Sequence, residues 1–260
     1  MKNYLWSLAI VIICLTSCSI EKSSERAVSS DADGTIVKAS YDAERQLTHL
    51  LPDSIDAYNV GFLIMDGTFN TELTAPFDIF QHTKYREGIK PMRVFTLANS
   101  LEPITTFEGI RLLPDYDYTK PHPQIDILVV PSAEHHLDTD LDDTIMIEWV
   151  REVAENAQYV TSHCDGAFVL AQTGLLDGLQ TTTFPADREA MRERFPNVTV
   201  HDEVLFVHDE KYITSAGGAK SFEAALYLSE LMYGKKVADR LAQGLVINWD
   251  LGSVPHLIAE

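Results

Sequence analysis

One segment of the chain combines the residue types and spacing that covalent catalysis needs. Thr161-Ser162-His163-Cys164-Asp165-Gly166-Ala167-Phe168 reads as a short strand running straight into a helix, with the cysteine at the turn and a glycine just after it. A tight strand-to-helix turn lifts its side chain above the sheet and needs a small residue beside it. The N-terminus of the following helix brings partial positive charge and free N–H groups, which favour thiolate over thiol. The same N–H groups can stabilise an oxyanion formed when a thiolate attacks a carbonyl. The competing reading of Cys164 is a buried cysteine packed as a small hydrophobe.

Cysteine usage separates these readings only in part. The chain has three cysteines, Cys14, Cys18 and Cys164. Lys2 and the apolar run Leu5 to Leu15 precede Thr16-Ser17-Cys18. That run is shorter than the roughly 20 residues a membrane-spanning helix needs. A positive start, a short apolar core and small residues before a cut site describe a secretory signal. The Leu-x-Ser-Cys ending resembles the bacterial lipobox, which implies cleavage after residue 17 and a diacylglyceryl thioether on Cys18. The expectation is an exported protein, lipid-anchored to a bacterial membrane on its periplasmic or cell-surface side. Cys14 would leave with the signal, so Cys164 would have no disulfide partner in an oxidising compartment, which marks it as a reactive or intermolecular thiol.

The balance of 20 Lys and Arg against 39 Asp and Glu gives a net charge of −19. A surface this acidic repels phosphate backbones and anionic headgroups, which argues against nucleic-acid binding and polybasic membrane docking. Contact with the membrane is therefore expected only through the lipid on Cys18. His and carboxylates are dense in Glu134-His135-His136-Leu137-Asp138-Thr139-Asp140-Leu141-Asp142-Asp143, but their spacing fits no familiar metal site, and the acids suit a helix N-terminus. Gly217-Gly218 lacks the spacing of a phosphate-binding loop. No metal and no cofactor is expected, and the partner is a small-molecule substrate.

The elements that would carry these residues follow from the apolar pattern. Ser19 to Ser40 is polar and small and reads as a tether, and Tyr41 to Leu51 as one lead-in amphipathic helix. Residues 1–17 are thus the signal, 18–54 the tether and 55–255 the domain. Tyr58 to Met65 and Ile125 to Pro131 are near-continuous apolar runs, as strands buried on both faces require. Met92–Ala98 predicts another strand, Pro103–Pro114 a hairpin or short strands, and Thr71–Phe80 a helix. A long helix is expected to start from a cap at Asp140 or Asp142 and run through Ala157. Its apolar residues would be Ile145, Ile147, Trp149, Val150 and Val153. Val204–Val207 and Tyr212–Ser215 flank a hairpin turn, and helices follow over Ser221–Tyr233 and Lys235–Val246. Alternation of this kind predicts a single α/β domain: a three-layer α/β/α sandwich on a mostly parallel, flavodoxin-like sheet.

Three blocks of residues 58–248 resemble the ThiJ/PfpI (DJ-1/PfpI) family of the class I glutamine amidotransferase-like superfamily. One is Cys164-Asp165-Gly166-Ala167-Phe168 with Gly174-Leu175-Leu176-Asp177-Gly178. The second is Thr214-Ser215-Ala216-Gly217-Gly218 and the helix after it. The third is Val60–Phe80, where Asp66-Gly67 precedes Glu72-Leu73-Thr74-Ala75-Pro76. The resemblance implies that Glu72 sits beside Cys164 as its proton partner, that Asp165 lines the pocket, and that the chain forms a homodimer. It also implies an oxyanion site after the central strand, where this chain has Ser132-Ala133 in place of Gly-Gly.

Other departures blur the chemistry. Phe184 stands where relatives with a Cys–His pair place histidine. Asp165 stands where protease-type relatives carry His and isonitrile-hydratase-type relatives carry Thr. His135 or His136, after the Ser132 loop, are candidates to reach the pocket. Strand alternation turns His163 away from the thiol, and His201 and His208 read as exposed hairpin residues. The resemblance implies a cysteine-dependent hydrolase or hydro-lyase acting on an amide, isonitrile or reactive aldehyde. The alternative is a ligand-binding or redox-sensing domain without turnover.

Overall fold

Apolar runs too continuous for a surface strand set the layout of the protein, which a computed structural model describes over residues 49–259. The expected signal and lipidated cysteine, and most of the tether and lead-in helix, lie outside those residues, while the end of the tether is held to the domain by Arg93, which donates to the Leu51 and Pro52 carbonyls at 2.9 and 2.8 Å. The described end of the expected lead-in helix, residues 49–51, is a turn and bend instead of helix.

In chain order the elements are β1 (Tyr58–Leu63), α1 (Asn70–Gln81), β2 (Met92–Ala98), β3 (Ile104–Thr105), β4 (Arg111–Leu112), β5 (Tyr116–Asp117), β6 (Ile127–Val130), α2 (Thr144–Asn156), β7 (Tyr159–His163) and α3 (Gly166–Gln172). They continue with β8 (Gln180–Thr181), α4 (Arg188–Arg194), β9 (Thr199–Val200), β10 (Phe206–Asp209), β11 (Tyr212–Ser215), α5 (Ser221–Tyr233), α6 (Lys235–Gly244) and β12 (His256–Ile258). The main sheet has the order β12-β10-β11-β7-β6-β1-β2-β5. The β10–β11 pair is antiparallel and every other pairing in it is parallel. The β3–β4 hairpin is antiparallel, as the Pro103–Pro114 segment suggests.

Side-chain alternation along the central strands builds both outer layers. In β1, Val60 and Phe62 join Leu73, Ile79 and Phe80 of α1 and Leu226 of α5, while Leu63 joins the opposite cluster with Met146 and Val150 of α2. In β6, Ile127 and Val129 face the first layer, and Leu128 and Val130 the second. This is the α/β/α sandwich that the alternation of elements implies. On α2 the cap is Asp143, which accepts the Met146 N–H at 3.0 Å, in place of the expected Asp140 or Asp142. A 3-10 turn over Thr139–Asp142 displaces the start of the helix and leaves Ile145 exposed. Among the described residues, no helix is long and apolar enough to cross a membrane.

Topology also locates the crevice. From β1 the chain moves outward to β2 and then returns across it to β6 on the other side of β1. Connections that diverge in this way leave a gap beyond the carboxyl ends of the two strands, where ligands of open α/β sheets bind. Gly67 and the start of α1 follow β1, Ser132 follows β6, and Cys164 follows β7.

Candidate active site

Cys164 occupies a backbone conformation that few non-glycine residues adopt, with φ 53°. Such strain costs about 1–3 kcal/mol and persists only where the surroundings enforce it. Here two neighbouring strand ends enforce it. The Cys164 N–H donates to the Ser215 carbonyl at 2.9 Å. A Cβ on Gly217 would stand 2.4 Å from Cys164 Cβ, and one on Gly166 would stand 2.1 Å from the Val130 carbonyl oxygen. Both glycines are therefore required, and the turn that the sequence suggests is closed by β6 and β11 as well as by α3.

The turn brings the thiol against Glu72. That residue lies in the first turn of α1 and is 5% exposed. Pro76 lacks the N–H that would otherwise bond back to the Glu72 carbonyl, which loosens the helix at this point. Glu72 Oε1 accepts the Gly218 N–H at 3.0 Å. Oε2 is buried without a hydrogen bond of ordinary geometry, and the Cys164 thiol and the Ser132 N–H are next to the carboxyl. Burial holds the Glu72 carboxyl above its usual range; the Gly218, Cys164 and Ser132 contacts pull the other way, and the charge of Glu108 adds to the rise.

Asp165 completes a cluster of three acids. The Cys164 thiol donates to its Oδ2 at 3.5 Å, and the Thr183 hydroxyl donates to its Oδ1 at 3.0 Å. Burial and the charge of Asp187 push the Asp165 carboxyl up to about 6, against the pull of Thr183 and the thiol. Burial pushes the Cys164 thiol up as well, and the carboxylates of Glu72 and Asp165 push in the same direction. The Ser132 hydroxyl and the Asp165 N–H favour the thiolate but are outweighed. The standing thiolate expected from the helix N-terminus is thus corrected. At rest the sulfur holds its proton, because burial and two flanking carboxyls outweigh the peptide dipoles of a seven-residue helix.

The Ser132-Ala133 segment is pinned from below. The Ser132 carbonyl accepts the Phe69 N–H at 3.0 Å, and Ala133 bridges to Thr68. The Ser132 hydroxyl is buried without a hydrogen bond of ordinary geometry, although it lies near enough to favour ionised sulfur. The Ala133 N–H donates to His136 Nδ1 at 3.2 Å, so it is not free to hold an oxyanion. Burial pushes His136 down to about 3, leaving it neutral, and since Nδ1 accepts, the proton belongs on Nε2. His135 is half exposed and sits 3.3 Å from Asp138. It lines a separate cavity of about 240 Å³ with Asp66 and Asp140, to which Cys164 does not contribute.

The other histidines that the sequence singled out, His163, His201 and His208, are held in hydrogen bonds away from the thiol. His163 is buried, pairs with the Ser215 hydroxyl at 2.9 Å and is pushed down to about 3 by burial. His208 and His201 are half-buried where exposed residues were expected; His208 pairs with the Tyr227 hydroxyl at 2.6 Å and His201 with Gln180 at 2.9 Å. Phe184 is exposed, directly after Thr183. Among the described residues no group of three His, Cys, Asp or Glu side chains is placed to hold a metal ion.

Sequence reasoning gave no site role to Thr183, Glu108 or Asp187, and it read Gly218 only as part of the Thr214–Gly218 block. A signal existed for one of them: three consecutive threonines, Thr181-Thr182-Thr183, just before Phe184. All three are buried, and their hydroxyls tie Thr214, the His201 carbonyl and the strand-to-helix elbow at Cys164 and Asp165 together.

The family model for the DJ-1/PfpI family matches residues 58–231. The isonitrile hydratase of Pseudomonas putida is 28% identical over 182 residues, covering 70% of this chain and 75% of the relative. The HTH-type transcriptional regulator GbdR of Pseudomonas aeruginosa is 23% identical over 74% of this chain, which spans about half (51%) of the regulator. Among solved structures, a ThiJ/PfpI family protein from Pseudomonas syringae superimposes with a TM-score of 0.66 at 20% identity, covering 81% of this chain and 84% of that one.

Proposed function

The chain belongs to the DJ-1/PfpI family, and from that premise we propose that it is a cysteine-dependent hydrolase or hydro-lyase that adds water at a small electrophilic carbon. The observation carrying this reading is the Glu72 carboxyl. One of its oxygens is fixed by the Gly218 N–H, and the other is bare beside a strained thiol.

A thiol that keeps its proton at rest needs an acceptor at the moment of attack, and Glu72 Oε2 is the free acceptor next to it. In the proposed step, sulfur bonds to the substrate carbon as its proton passes to Glu72, and Glu72 returns that proton to the anion formed. Water then adds to the same carbon and gives a proton to Asp165, whose raised pKa suits a base near neutrality. The hydroxyl proton moves to the substrate nitrogen, the carbon–sulfur bond breaks, and Asp165 returns its proton to the departing sulfur, which restores the thiol. Applied to an isonitrile, the sum is isonitrile plus water giving an N-substituted formamide. The similarity to an isonitrile hydratase makes that substrate class the first to test.

A screen of isonitriles, amides and dicarbonyl aldehydes tests the reading, comparing wild type with Cys164→Ala. Product formation that disappears in the variant supports it; turnover undiminished by the substitution overturns it. The similarity to a transcriptional regulator favours a second reading, ligand binding without turnover. Thermal stabilisation by a compound that is never consumed would select it. The same proposal keeps the lipid anchor on Cys18 and the homodimer. Loss of membrane fractionation in Cys18→Ser tests the anchor, and the mass in solution tests the dimer.

A further inference from the structure

Among the described residues no Lys, Arg or His forms an ion pair with the carboxyls around the sulfur. Glu72 and Asp165 flank Cys164, and each feels a further acid at the surface: Glu108 acts on Glu72, and Asp187 on Asp165. Glu108 is exposed at the tip of the β3–β4 hairpin, where its carboxylate accepts the Asn70 N–H at 3.0 Å at the start of α1. Among the described residues none of these four acids forms an ion pair.

The cations closest in sequence are occupied. Lys220, two residues after Gly218, is held by Glu223 at 2.7 Å. Arg188, beside Asp187, turns its guanidinium onto the Thr182 hydroxyl at 3.2 Å and the Val204 carbonyl at 3.0 Å. Inside this ring, Glu72 is 5% exposed and its Oε2 is buried without a hydrogen bond of ordinary geometry, beside the sulfur and the Ser132 N–H.

An aromatic lip accompanies the acids. Phe107 is 52% exposed and stacks on Phe69 with ring centroids 4.5 Å apart, and its N–H is held by the Thr68 carbonyl at 3.1 Å. An exposed ring face beside uncompensated carboxylates is the combination that attracts an organic cation and repels an anion. We infer that the Cys164 site takes a positively charged small molecule in preference to an anionic one, its cationic group meeting Phe107, Glu108 and Asp187 while its reactive carbon meets the sulfur. This inference rests on Cys164 being the reacting group.

Methanethiosulfonate reagents test the charge preference without requiring turnover. The thiol loses its proton and displaces methanesulfinate, which leaves a mixed disulfide on Cys164. Rates for an ethylammonium and an ethylsulfonate reagent are measured on the full chain and normalised to a free small thiol. Cys164→Ser serves to subtract the other cysteines. At low salt the cationic reagent is expected to react roughly tenfold faster, and the preference is expected to collapse towards unity in about 0.5 M salt. Glu108→Gln and Asp187→Asn should each lower the ratio about twofold. Equal rates, a faster anion, or a ratio unmoved by both variants would overturn the inference and leave the reactive cysteine standing. A thiol that reacts with neither reagent in the folded protein sinks the cysteine reading, and the charge preference with it.

Discussion

Proton placement decides what Cys164 can do. The sulfur and the carboxyls of Glu72 and Asp165 are all buried, and the charges of the two carboxylates disfavour ionisation of the sulfur beside them. Glu72→Gln keeps the shape of the side chain and removes the acceptor, so kcat/KM is expected to fall by roughly 10²–10⁴. Steady-state rates on whichever substrate the screen returns would check this; an unchanged rate would remove Glu72 from the mechanism. Asp165 sets the pH dependence. Its carboxyl titrates at about 6 in the folded chain, against about 3.9 for an unperturbed aspartate. Between those values the folded state holds a proton that the unfolded state has lost, so stability falls as pH rises through this window. Asp165→Asn should therefore stabilise the protein above pH ~6, by up to about 3 kcal/mol, and do little below pH ~4. Denaturant unfolding at the two pH values measures the difference. The same substitution should flatten the rise in kcat/KM through pH ~6, if Asp165 receives the proton of water.

At the scale of elements, the elbow is held by what surrounds it more than by its own sequence. Gly166 opens α3 beneath the end of β6, and a methyl group there would collide with the Val130 carbonyl. Backbone cannot move aside as the end of a flexible side chain can. Gly166→Ala is expected to destabilise the protein by about 3 kcal/mol and to shift the sulfur relative to Glu72. Equilibrium unfolding together with the alkylation rate of Cys164 reads both effects, and a variant unchanged in both would show that the packing is looser than described. The element boundaries were largely legible: Met92–Ala98, Tyr212–Ser215 and Ser221–Tyr233 fall where the sequence pattern puts them. The cap of α2 was not, because Asp138, Asp140, Asp142 and Asp143 all suit a helix start and local sequence cannot rank them. The 3-10 turn over Thr139–Asp142 made the choice.

For the whole molecule, a net charge of −19 opposes compaction. Among the described residues several of the ion pairs that offset this charge join neighbours three or four positions apart. Raising ionic strength from about 0.01 M to 0.15 M shortens the screening length from roughly 30 Å to 8 Å. The melting temperature should rise over that range. A melting temperature that falls with salt would mean that ion pairs outweigh self-repulsion.

The sequence by itself determined the sandwich and most strand and helix positions, and its resemblance to the DJ-1/PfpI family pointed to Glu72 as the partner of Cys164. Those depend on periodicity and on short motifs, which neighbouring residues carry. Tertiary structure decided what the pair is like. Gly218 reaches Glu72 from 146 positions away, His136 takes the Ala133 N–H that an oxyanion would need, and Asp187 and Glu108 bring charge from loops on separate parts of the chain. Whether a thiol is ionised depends on how much water reaches it and which charges stand around it in space. Neither quantity is written in the residues beside it.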